Sequence, residues 1–125
     1  VIHADTAELD ALARDLAADN DVMDEAANVV SKGSLNIKRG ARRRVSGYAY
    51  LPHYPNSIGY DIFRGGNLVS SEVGPDKDQR QGPLGTIIEN GSVNNAPIPH
   101  LSPELDEETP RFLAAVAAMG EATVL

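Results

Sequence analysis

Apolar residues recur along this chain first at a helical and then at a strand period, and the changes of period delimit its elements. Leu9, Leu12, Ala13 and Leu16 form a single stripe, with Asp10, Arg14 and Asp15 facing away. They predict an amphipathic helix over residues 6–18, behind a short apolar start of edge-strand or arm character at residues 1–4. Asp19-Asn20-Asp21 interrupts it with helix-capping residues. Helical spacing then resumes through Val22, Ala26, Val29, Val30, Gly33, Ile37, Ala41 and Val45, which predicts a longer helix over residues 21–44. Gly33 and Gly40 each cost that helix about 1 kcal/mol relative to alanine, so either marks a kink or a place where another backbone comes close.

Residues 46–57 (SGYAYLPHYPNS) contain Pro52 and Pro55 and predict a loop. Residues 58–64 and 68–73 alternate as strands do, with Gly65-Gly66-Asn67 as a short hairpin connection. Residues 84–89, with Thr86, Ile87 and Ile88, read as a third, buried strand, followed by an Asn90-Gly91 turn and an extended segment stiffened by Pro97 and Pro99. The polar segment 74–83 reads as an exposed, mobile loop. Ser102-Pro103-Glu104 opens a C-terminal helix whose stripe is Leu105, Phe112, Leu113, Val116 and Met119. Thr109-Pro110 repeats the starting signal, so this is one helix bent at Pro110 or a short turn before a second start. Gly120 reads as its stop, with residues 121–125 as a tail. The fold class expected is α+β: an antiparallel sheet of about three to four strands packed with an N-terminal helical half and a C-terminal helix, in a single domain over residues 1–125.

Composition narrows the function classes. With no cysteine among 125 residues, disulfides, thiolate nucleophiles and zinc–thiolate sites are excluded together. A formal charge of -7 argues against a protein that grips phosphates, and suits an acidic surface past which DNA slides. No apolar run approaches membrane-spanning length, and the opening VIHADTAELD lacks the basic flank and apolar stretch of a secretion signal, so a soluble protein without membrane partners is expected.

Candidate chemistry is sparse. Arg39, Arg42, Arg43 and Arg44, with Lys38, form the main basic cluster: a nucleic-acid contact, or the cationic end of a helix available to acids of this chain or a neighbour. Tyr48, Tyr50 and Tyr54 lie in a loop, as interface anchors or packed back on the sheet. His3, His53 and His100 stand too far apart in sequence to suggest a metal site. The acid pairs Glu107-Glu108 and Asp76/Asp78 read as solvated, Ser70-Ser71 lacks a nucleophile elbow, and Gly65-Gly66 lacks the lysine and helix of a phosphate cradle. Neither catalytic residues nor a cofactor are expected.

In this order the signals resemble the minor tail-component family of long-tailed double-stranded DNA bacteriophages, the tail-completion or head-to-tail joining proteins. The residues concerned are Arg42-Arg43-Arg44 with Ser46-Gly47, Ser57-Ile58, Glu72-Val73-Gly74-Pro75, Ile88-Glu89-Asn90-Gly91-Ser92, Ala96-Pro97-Ile98-Pro99 and Leu101-Ser102-Pro103-Glu104-Leu105. Val45-Ser46-Gly47 departs from the proline, small residue, threonine, glycine segment usual after the basic helix, and the tyrosine-rich loop is unusual. The resemblance implies a structural virion protein that assembles in the host cytoplasm. It implies a homo-oligomeric ring, hexameric in the family, at the head-proximal end of the tail, between head-connector and tail-terminator or tail-tube proteins, with phage DNA passing through. On that basis the expected interface residues are Arg39, Arg42, Arg43, Arg44, Tyr48, Tyr50, Tyr54, Asp76, Lys77, Arg80, Glu89, Asn90, Pro97 and Pro99. A nucleic-acid-binding module using Arg39 to Arg44 is the alternative.

Overall fold

The computed structural model describes residues 20–124; the helix expected over residues 6–18 and the apolar start lie outside the described residues. Helix α1 (Asn20–Val45) is followed by a short helix α2 (Tyr54–Ser57), strands β1 (Ile58–Gly65) and β2 (Leu68–Pro75), a 3-10 turn (Gly82–Leu84), helix α3 (Gly85–Asn90) and the long helix α4 (Ser102–Val124). The chain is α+β, and the strands pair antiparallel from Ile58 with Pro75 to Gly65 with Leu68. Gly66, at φ 57°, makes the turn in a conformation that favours glycine.

Helix α1 is continuous across both of its questioned glycines. What comes close there is side chain, not backbone: Gly33 faces Phe112 and Glu108, and Gly40 faces the Glu104 carboxylate. The antiparallel partner is therefore α4, which runs on through Pro110 as one helix. Gly120 does not stop it; the helix continues to Val124.

The expected third strand is a correction. Residues 85–90 form α3, so the sheet has two strands among the described residues. A short β-branched run carries no decisive period, and here Gly85, Ile88 and Glu89 are buried at helical spacing while Thr86 and Ile87 are exposed. Asn90-Gly91 is accordingly a helix end, not a hairpin turn: Gly91, at φ 78°, donates its N–H to the Ile87 carbonyl at 2.7 Å.

Among the described residues two apolar clusters form the core, and α1 belongs to both. Val22, Met23, Ala26 and Val30 pack with Val69 of β2 and with Phe112, Val116 and Met119 of α4. Ile37, Ala41 and Val45 pack with Leu51, Tyr54, Ile58, Val73, Ile88 and Leu101. A polar level separates them along α1. There Ser34 gives its proton to the Val30 carbonyl at 2.8 Å, which leaves Ser71 to donate to Ser34 at 2.5 Å.

Candidate assembly surface

Several of the residues singled out in the sequence fasten the chain to itself. Arg42 donates from Nε and Nη2 to the Ile58 carbonyl at 3.0 and 2.7 Å, tying the last turn of α1 to the start of β1. Arg44 binds Glu104 at 2.8 Å and Glu107 at 3.1 Å on α4, and its hydrogen bond to Glu104 raises the guanidinium pKa above its ordinary value. Arg39 and Arg43 are exposed, so the basic cluster divides between internal ties and an outward pair one helical turn apart.

Tyr54 and Glu89 are corrections to the expected interface, because both are buried. Glu89 accepts the backbone N–H of His100 at 3.1 Å and of Leu101 at 2.8 Å, placing a carboxylate just ahead of α4, where the helix dipole favours it. The His100 ring joins the same group: Nδ1 lies 2.8 Å from the Ile98 carbonyl and 3.1 Å from Glu89, and Nε2 lies 2.7 Å from the Tyr54 hydroxyl. With a proton on Nδ1 the ring serves both Ile98 and Glu89, while Nε2 pairs with the Tyr54 hydroxyl. Burial, and secondarily the charge of Glu89, pushes the Tyr54 phenol far above its ordinary range. His100 is wholly enclosed, so the cluster acts as a clamp and has no access to a substrate.

That clamp roots a small projecting loop. Ile98 donates its N–H to Ile88 at 2.7 Å, Gly91 is closed over by Pro97, and Ser92 and Asn95 exchange backbone hydrogen bonds of 2.9 and 3.3 Å. Val93, at the tip, is 101% exposed. Asn90, Pro97 and Pro99 are exposed alongside it.

Segments 46–57 and 74–83 are stapled to each other by Gln81, a residue that drew no notice in the sequence. Its carbonyl oxygen accepts from the N–H groups of His53 and Tyr54 at 2.8 and 3.0 Å, and its amide donates to the Tyr50 carbonyl at 3.0 Å. These bonds hold Gln81 at φ 63°, unusual for a residue with a side chain. The expected mobile loop is thus a chain of bonded turns, with Asp76, Lys77 and Arg80 outward. Tyr48 and Tyr50 stand exposed at 37% and 65%, their rings edge to face at 5.8 Å.

Concavities also occur among the described residues. A groove of about 530 Å³ runs along the base of the hairpin past Arg42, Asp61, Glu72, Asp76 and Lys77. A cleft of about 270 Å³ lies between α1 and α4, over Gly33 and Phe112. Glu108, expected to be solvated, is a correction: it is buried beside Gly33, as Glu104 of the first turn of α4 is beside Gly40. Their signal was present: the acids extend the apolar stripe of α4 at i, i+4, and the glycines sit seven apart on α1. No group of three His, Asp or Glu side chains able to hold a metal ion occurs among the described residues, and no helix there is long and apolar enough to cross a membrane. Comparison with known protein families, with curated proteins and with solved structures finds no match.

Proposed function

We propose that this chain is a self-assembling structural subunit, a ring-forming virion protein at the head-proximal end of a long-tailed phage tail. The observation that carries the self-assembly part is the projecting loop of residues 91–99. Its root is fixed by a buried carboxylate and an enclosed histidine, yet its tip presents Val93 wholly to solvent. A rigid base under an exposed apolar tip is the construction of a docking element, since little order is lost when it binds. Phe63 on the hairpin, at 49% exposed, and Ile87 on α3, at 48%, add further uncovered apolar surface. The placement in a phage tail rests on the resemblance of the motif order. The bore of such a ring, carrying part of the chain's -7 charge, would repel passing DNA.

Arg42 and Arg44 spend their hydrogen bonds inside the chain, which weakens the alternative of a nucleic-acid module. Sedimentation velocity over a wide concentration range, with electron microscopy of the heaviest species, tests the proposal. Closed rings of uniform size are expected, with little affinity for DNA. A monomer at every concentration that binds DNA with steep salt dependence, lost on changing Arg39 and Arg43 to glutamine, overturns it.

A further inference from the structure

We propose that the free edge of β1 pairs antiparallel with the same edge of a second copy, joining two hairpins into one sheet about a twofold axis. The inference stands on the strand itself and does not need the phage placement. Along a strand, successive residues turn their backbone groups to opposite sides. Ser57 turns its carbonyl towards β2, where the Asp76 N–H meets it at 2.8 Å, so the groups of Ile58, Tyr60, Ile62 and Arg64 point away from β2. Ile58 is provided for within the chain: its N–H goes to the Pro55 carbonyl and its own carbonyl accepts from Arg42. At Tyr60, Ile62 and Arg64 no backbone partner for these groups is found among the described residues.

The other side of the hairpin is closed. Val69, Ser71 and Val73, whose groups point away from β1, are all buried, whereas Asp61, Phe63 and Arg64 of β1 are exposed. Strand β1 also lacks devices that keep edges apart: it has neither proline nor lysine, and it pairs with β2 without a bulge. With one open edge per copy the sheet cannot propagate, so the pairing closes at two copies. Any closed assembly built with it then holds an even number of copies, the hexamer implied by the resemblance included.

The strand is its own complement in one register. Centred on Ile62, it sets Ile62 against Ile62 and each Tyr60 against the Arg64 of the other copy, so every free edge residue exchanges bonds. Arg64 arrives already paired with Asp24 at 2.9 Å and adds no net charge beside Tyr60 and the Lys38 that lies over its ring. On the outer face Asp61 falls opposite Phe63, whose side chain, 49% exposed, gains cover from the added strand. Other registers do worse. Centring on Asp61 or on Arg64 opposes like charges, centring on Tyr60 calls on the groups of Ile58 that are already bonded, and centring on Phe63 leaves Tyr60 unpaired.

Cysteine is absent from the chain, and a Cβ at Gly59 or Gly65 meets nothing within 4 Å. In the register centred on Ile62, position 59 of one copy lies opposite position 65 of the other, at a separation a disulfide spans. Gly59→Cys and Gly65→Cys variants are mixed dilute, concentrated and mildly oxidised; 59–65 disulfides are expected to outnumber 59–59 and 65–65. Arg64→Pro removes an edge N–H that is free in the single copy, and should weaken dimerisation at least about tenfold by sedimentation velocity. Amide hydrogen exchange at Tyr60, Ile62 and Arg64 should slow as the concentration of the unaltered protein rises. If Arg64→Pro also lowers the thermal midpoint of the dilute protein, the two cysteine variants decide. Uniform rings without excess 59–65 links overturn the edge pairing and leave the ring reading standing. Dimers that carry the link and form nothing larger sustain the pairing and overturn the ring. A monomer at every concentration overturns the pairing, and slow exchange at the three amides in that monomer would assign the edge to residues 1–19 of the same chain.

Discussion

A methyl group at Gly40 would run into the Glu104 carboxylate, which Arg44 holds at 2.8 Å. In an open helix Gly→Ala stabilises by about 1 kcal/mol. Here the displaced, buried carboxylate outweighs that gain, and Gly40→Ala is expected to destabilise by about 1–3 kcal/mol. Urea titration checks the sign, and in a Glu104→Ala background the same change should become stabilising. Tyr54 supplies a second test at this scale. Its folded-state pKa lies above the ordinary value of 10.0 because of burial. Above about pH 10 the unfolded phenol loses its proton while the folded one keeps it, so stability falls as pH rises through that point. Near neutrality Tyr54→Phe should cost about 1 kcal/mol, the worth of its bond to His100. Above pH 10 that deficit should shrink by about 1.4 kcal/mol per pH unit, as thermal unfolding of the two proteins between pH 7 and 11 would show.

Segment 84–99 shows how far an element can be read without its neighbours. Its glycine and prolines were legible as punctuation, but their meaning changes with context. Asn90-Gly91 ends a helix, and Pro97 lies over Gly91 to close the loop that follows. The decisive residue is Glu89, whose buried carboxylate gathers two backbone N–H groups and the His100 ring from residues eleven and twelve positions later. Glu89→Ala leaves those groups enclosed and unpartnered, an expected loss of about 3 kcal/mol or more. Faster amide hydrogen exchange at His100 and Leu101, beyond the change in global stability, is the measurement that checks it. By contrast, α1, the β1–β2 hairpin and the start of α4 agree with the helical and strand periods of their residues.

Over the whole molecule, α1 unites the parts. One of its ends packs into a cluster with α4 and Val69, and the other into a cluster with the hairpin, α2 and α3, with the Ser34–Ser71 level between. This arrangement leaves the 91–99 loop, Tyr48 and Tyr50, and the α1–α4 cleft on the outside. The first of these is the surface on which the assembly proposal is to be tested.

By itself the sequence determined the α+β class, the long helices and the hairpin, since helical and strand periods, caps and turn glycines act over a few residues. Tertiary structure alone decided that residues 85–90 are helical, since a short β-branched run takes its state from what it packs against. It also decided which candidate residues face outward. Arg42, Arg44, Tyr54 and Glu89 resemble surface chemistry in a linear reading, yet each finds its partner from 11 to 63 residues away. Their burial or commitment follows from those distant partners, and no local pattern records it.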